Sequence, residues 1–130
     1  MKYLIDTNII IDYLKGIPQT VSFLQKTNLS GFAVSVISVG EILEGLVGQP
    51  REELRRRELE DFLAAQRIID IDKEAAEIFA KIRADLRSKG KLIDNFDILI
   101  AATALKHSLT LMTKDKDFER IEDLQLKFIL

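Results

Sequence analysis

Cysteine is absent from this 130-residue chain, and histidine occurs once. Those two shortages exclude a disulfide framework, a thiolate zinc site, a cysteine nucleophile and any metal centre built on several imidazoles. They also exclude a metal-free ribonuclease mechanism of the kind that uses paired imidazoles for acid and base. Positive charge is not in excess: 19 Lys and Arg stand against 21 Asp and Glu, a formal charge of −2. A protein holding nucleic acid mainly by phosphate neutralisation has the opposite balance, so a phosphate-bearing substrate here needs positive charge from another source. Proline (2) and glycine (6) are scarce while hydrophobic residues reach 47%, which excludes a disordered or fibrous chain. No apolar run approaches the roughly 20 residues of a membrane span. The opening segment, MKYLIDTNIIIDYLKG, is interrupted by Asp6 and Asp12 and lacks a small-residue cleavage site, so a cytoplasmic protein is expected.

The length suits one domain, 1–130, with one core. Short apolar runs rich in β-branched residues predict strands at Tyr3 to Ile5, Ala33 to Ile37, Ile68 to Ile71, Thr110 to Met112 and Lys127 to Leu130. Helical periodicity predicts helices at Asp6 or Thr7 to Lys15, Thr20 to Thr27, Ser38 to Val47, Arg51 to Gln66, Lys73 to Ser88 and Asn95 to Lys106, with a short turn near Asp117 to Ile121. Pro18 and Pro50 stand where helices begin; Gly16, Gly48 and Gly90 stand where they end. Strands alternating with helices imply parallel pairing by right-handed crossovers, hence a three-layer α/β/α sandwich with a mainly parallel sheet of four to five strands.

In such sheets ligands sit beyond the carboxyl ends of the strands, which directs attention to the acids found there. Asp6 ends the first strand, Glu41 lies in the helix after the second, Asp97 opens a very apolar helix, and Asp115 and Asp117 follow the Thr110 to Met112 strand. Each also has a purely structural reading. Ser38 and Glu41 have the spacing of a capping box; Asp94 and Asp97 suit a helix start; the KDKD stretch suits an exposed turn. Asp6 is hardest to explain structurally, because an acid ending a central strand is desolvated and needs a partner. Converging carboxylates repel one another and raise each other's pKa unless a cation intervenes. Oxygen-only donors select Mg²⁺, with Mn²⁺ as a possible substitute, and such an ion brings the positive charge the composition withholds.

The segments Leu4-Ile5-Asp6-Thr7-Asn8, Ser38-Val39-Gly40-Glu41-Ile42, Asp97 to Ala104 and Leu111 to Phe118 together resemble the ordered motifs of the PIN domain, specifically its VapC-type toxin ribonucleases. The likeness spans nearly the whole chain. It implies a PIN-like sandwich, a metal-dependent endoribonuclease of a VapBC-type toxin–antitoxin module, an RNA substrate and a VapB-type antitoxin partner. Position by position, Asp6, Glu41 and Asp97 match the three core metal-binding acids, and Asp115 and Asp117 both match the fourth. Asn8 and Thr113 match supporting polar positions, and Asp94 is an extra acid read as a helix cap able to reach the site. The implied reaction is in-line attack of activated water on a phosphodiester, leaving a 5′ phosphate and a 3′ hydroxyl.

Two other classes share this outline. A phosphoacceptor signalling domain needs an acid after a middle strand and a late lysine, for which Lys114 is the candidate, but Asp72 better suits a helix cap. A PIN-like binding module that no longer cuts is the other, and retention of every core acid argues against it. Apolar residues at Phe23-Leu24, Ile42-Leu43 and Leu46-Val47 exceed what one sheet face needs, so a homodimer is expected, and the helices holding them are expected to wall a groove for the antitoxin.

Overall fold

The structure is a computed structural model that describes residues 2–27 and 31–129. Five strands, β1 (Tyr3–Ile5), β2 (Ala33–Ser35), β3 (Arg67–Ile69), β4 (Thr110–Thr113) and β5 (Leu126–Phe128), form one sheet in the order β3-β2-β1-β4-β5. Every pair is parallel, with Leu4 opposite both Ala33 and Leu111. The helices are α1 (Thr7–Leu14), α2 (Pro18–Thr27), α3 (Val36–Leu46), α4 (Glu52–Ala64), α5 (Lys73–Ser88) and α6 (Asn95–Lys106), and a 3₁₀ turn spans Lys116–Arg120.

Strand alternation separates two cores. Leu4, Ala33 and Leu111 face one side, where α5 and α6 pack through Leu86, Ile98, Ala101 and Ala104. Ile5, Val34 and Met112 face the other, against Ile9 and Ile10 of α1, Leu24 of α2, Ile42 of α3, and Leu59 and Leu63 of α4. The expected three-layer α/β/α arrangement is therefore observed. Among the described residues no helix is long and apolar enough to cross a membrane.

Several boundaries move, and each has a cause. β2 stops at Ser35, whose hydroxyl accepts from the Ile37 amide and caps α3. Val36 and Ile37 thus belong to the helix, although their branched side chains predict strand; strand preference reflects packing context more than the backbone. α2 begins at Pro18 rather than Thr20, since proline fits a first helical position. β3 lies at a sheet edge, ends two residues early and leaves Ile68 exposed. The last strand is shifted to Leu126–Phe128, and Leu130 of the expected span lies outside the described residues. Gly16, Gly48 and Gly90 all have positive φ after helices, as their positions predict.

The apolar surplus expected around α2 and α3 is mostly core. Leu24 and Ile42 are buried, and Phe23, Leu43 and Leu46 pack against the same cluster, so of that set only Val47 stays largely exposed, at 67%. The groove beside Ile42 and Leu46 is walled by α1, α3 and α4, with Ile11, Leu14 and Arg55 among its lining, and α2 takes no part in it.

Candidate functional site

From β1 the chain passes to β2 on one side and reaches β4 on the other only after β3. The switch in direction falls between β1 and β4, where parallel sheets open a crevice at the carboxyl ends. Asp6 follows β1 and Thr113 ends β4, so this connectivity sets them side by side. Thr113 Oγ1 donates to Asp6 Oδ2 at 2.7 Å, joining residues 107 positions apart. The same Thr113 oxygen accepts from the Asp115 amide at 3.0 Å, tying the loop after β4 to the crevice.

Asp6 is 4% exposed and acts as the N-cap of α1, with Oδ1 accepting from the Thr7 amide at 2.8 Å. Burial pushes its carboxyl above the usual range. The bonds from Thr113 and Thr7 oppose that rise, while the charges of Glu41 and Asp115 add to it. Glu41 comes from the interior of α3. Thr7 Oγ1 lies 2.7 Å from Glu41 Oε1 and 2.8 Å from Ser38 Oγ. A hydroxyl has one proton and a carboxylate only accepts, so Thr7 donates to Glu41 and the Ser38 hydroxyl supplies its own proton to Thr7. The capping-box reading of Ser38 and Glu41 is thereby overturned. The helix begins two residues earlier, at Val36, capped by Ser35, and both side chains turn instead to α1.

Asp97 occupies the first turn of α6, a helix whose Ile98, Ile100, Ala101, Ala102, Thr103 and Ala104 are all buried. The apolar helix holds its one acid at the crevice. Desolvation raises the Asp97 carboxyl to about 7, helped by the charges of Asp6, Asp94, Asp115 and Glu41. No hydrogen bond or ion pair engages that carboxylate among the described residues, and none of the ion pairs there involves Asp6, Glu41 or Asp115.

Between the two candidates for the fourth acid the placement differs. Asp115 is half-buried and acts electrostatically on both Asp6 and Asp97. Its Oδ1 caps the 3₁₀ turn by accepting from the Asp117 amide at 2.9 Å. Asp117 is exposed and lies 3.5 Å from Arg120, turned out of the crevice. Phe118, fully buried, anchors that turn; such burial contributes roughly 1.5–3 kcal/mol and holds Asp115 in place.

The remaining expectations divide. Thr113 is a structural link of the cluster, whereas Asn8 is exposed and makes no hydrogen bond to it among the described residues. Asp94 stands at the N-cap of α6, where its cap reading puts it, but makes no side-chain capping bond, and it acts on Asp97 through charge. His107 is the C-cap of α6, at the end opposite Asp97, and is half-buried. Asp72 caps α5 through the Ala75 amide, and Lys114 pairs with Asp12 of α1. The lysine a phosphoacceptor domain requires is thus engaged elsewhere. Thr7 and Ser38 escaped sequence reasoning as site residues; the signal was a hydroxyl directly after Asp6 and another one helical turn before Glu41.

The donor chemistry fits a hard divalent cation: oxygen donors only, on desolvated carboxylates that lack a compensating charge. The acids are not drawn into a closed cage, for among the described residues no three His, Cys, Asp or Glu side chains form a ready ligand group.

The model of the PIN domain matches residues 3–124. A ribonuclease VapC2 of Haemophilus influenzae is 35% identical over 122 residues, which cover 93% of this chain and 92% of that protein. Among solved structures, DNA-bound VapBC from Salmonella typhimurium aligns with a TM-score of 0.92 at 27% identity, covering 100% of this chain and 99% of that one. VapBC2 from Rickettsia felis, bound to a promoter DNA fragment, aligns with a TM-score of 0.90 at 29% identity, covering 98% of each chain. With four motifs in order, a sheet switch that gathers their acids and this breadth of similarity, the chain belongs to the PIN-domain family, among relatives of the VapC type.

Proposed function

We propose that this protein is a metal-dependent endoribonuclease, the toxin of a VapBC-type toxin–antitoxin pair, and that Asp6, Glu41, Asp97 and Asp115 hold Mg²⁺ or Mn²⁺. One observation carries the reading: four acids, just after β1, in α3, in α6 and in the loop after β4, act electrostatically on one another at the sheet switch with no cation paired to them among the described residues. A divalent ion bound there supplies positive charge to a phosphodiester and makes water a better nucleophile.

The chain's own residues supply position and charge. Thr113 and the Thr7 amide fix both oxygens of Asp6, and Thr7 Oγ1 orients Glu41. Asp97, raised to about 7, is fully charged only above that pH or when a cation binds. The similarity to a protein named ribonuclease supports RNA as substrate. The similarity to VapBC complexes, two of which are bound to DNA, supports an antitoxin as partner.

The test is cleavage of labelled RNA by purified protein with Mg²⁺, with Mn²⁺ and with EDTA. Cleavage with either ion, none with EDTA and none by Asp6→Asn are expected. Cleavage by Asp6→Asn, or undiminished cleavage in EDTA, refutes the assignment.

A further inference from the structure

Lys114 stands between Thr113 and Asp115, in the segment that carries the fourth acid. Its Nζ pairs with Asp12 Oδ2 on α1, joining positions 102 apart. With the lysine side chain 44% and the aspartate side chain 20% exposed, such a pair adds little to stability. Its consequence is geometric. The Asp115 amide donates to Thr113 Oγ1 at 3.0 Å, closing a tight turn with Lys114 at its centre. Thr113 Oγ1 donates in turn to Asp6 Oδ2 at 2.7 Å, and Asp6 is the N-cap of α1. The turn is therefore fastened to one helix at two points, Asp6 and Asp12, about 9 Å apart along its axis at ~1.5 Å per residue. One attachment leaves a segment free to swing about it, whereas two hold its orientation. The acid that this turn carries is open on one side: Asp115 Oδ1 accepts from the Asp117 amide at 2.9 Å, and Oδ2 makes no hydrogen bond among the described residues.

We propose that Lys114 and Asp12 are positioning residues of the metal site: their ion pair is the second fastening of the turn at 113–115 and aims Asp115 at the cation. The inference rests on the reading of Asp115 as a metal ligand. A small divalent ion such as Mg²⁺ demands near-ideal placement of its oxygen donors, so a carboxylate carried on a loop serves it only where that loop is held. Engagement with Asp12 also keeps the ammonium of Lys114 on α1 instead of on the neighbouring acids. Position and charge predict different patterns. Acting through space, loss of the Lys114 charge makes the site more negative and tightens a cation, while loss of the Asp12 charge loosens it. Acting through position, either loss frees the same turn, and both weaken binding.

Two measurements on the full chain test this: Mn²⁺ affinity, read from the paramagnetic resonance of the free ion, and amide exchange of Asp115 and Asp117, read by NMR in EDTA. Asp12→Asn and Lys114→Met should each bind Mn²⁺ about 2- to 5-fold more weakly than wild type, the range expected for loss of a partly exposed ion pair. The double variant should be no weaker than the weaker single, because the two side chains act as one unit, and Lys114→Arg should retain wild-type affinity. In EDTA both amides should exchange faster in each single variant. Opposite signs, with Lys114→Met tighter and Asp12→Asn weaker, overturn the proposal in favour of charge acting through space. So does a Lys114→Met protein with wild-type Mn²⁺ affinity and a raised KM for RNA, which makes the lysine a phosphate contact. Wild-type affinity and wild-type exchange in both single variants, in a protein that binds Mn²⁺, sink the positioning role alone; faster exchange in both with no Mn²⁺ bound by the wild type sinks the metal reading alone.

Discussion

Asp97→Asn separates the stability of the site from its chemistry. In the metal-free protein the Asp97 carboxyl is raised from its ordinary 3.8 to about 7, by desolvation first and by the neighbouring acids second. A folded-state pKa above the unfolded one means the native protein keeps a proton that the unfolded chain has released. Stability therefore falls as pH rises from about 4 to about 7 and stays low above that. At 1.36 kcal/mol per tenfold change the full shift corresponds to about 4 kcal/mol. Asp97 is only half-buried, so solvent screening reduces this, and an acid in a first helical turn gains roughly 0.3–1 kcal/mol from the helix dipole that asparagine forgoes. A net gain of about 1–2 kcal/mol for Asp97→Asn at pH 8 remains, against a few tenths of a kcal/mol at most at pH 4, where the native carboxyl is protonated and the unfolded one is about half ionised. Urea denaturation of both proteins in EDTA at pH 4, 6 and 8 measures it, and the pH 8 gain should raise the melting temperature by about 3–8 °C. The variant should at the same time lose RNA cleavage. A variant no more stable than wild type at pH 8, or equally stabilised at pH 4, refutes the reasoning.

The other predictions are briefer. Mg²⁺ at millimolar concentration should raise the melting temperature of the wild type, since a ligand bound only to the folded state stabilises it, and calorimetry should find no such rise in Asp6→Asn. Thr7→Val removes the hydroxyl that joins α1 to Glu41; it should cost about 1–2 kcal/mol in urea denaturation and lower kcat, and unchanged kcat contradicts the positioning role. Ser35→Ala should cost about 1 kcal/mol by losing the α3 cap. Ser38→Ala tests the alternative start: a helix capped at Ser38 would make it the costlier in the fraying of α3, read by amide exchange at Ile37.

How much of the site was legible depends on which kind of information each residue needs. β1, α5 and α6 follow from local signals that agree: a short apolar run, a capping Asp72, and apolar positions between clear ends. Asp6, Glu41 and Asp97 were legible as acids just past strands or at helix starts, and their residue types already point to oxygen-ligand chemistry. By contrast, the start of α3, the choice between Asp115 and Asp117 and the partners of Ser38 were not. Val36 and Ile37 suit a strand or a helix by local preference, and only the cap at Ser35 together with packing on the sheet decides for the helix. Asp115 and Asp117 are two residues apart in the same polar stretch, and a buried Phe118 turns one inward and the other toward Arg120. The sequence by itself determined the parallel α/β architecture and the acids available for chemistry, because periodicity and residue type act over one or two turns. The sheet order brings Asp6 within a hydrogen bond of Thr113 and Thr7 within one of Glu41, and no local pattern encodes contacts across 107 and 34 positions. Only tertiary structure decides such contacts, since they arise where separate elements meet on packing.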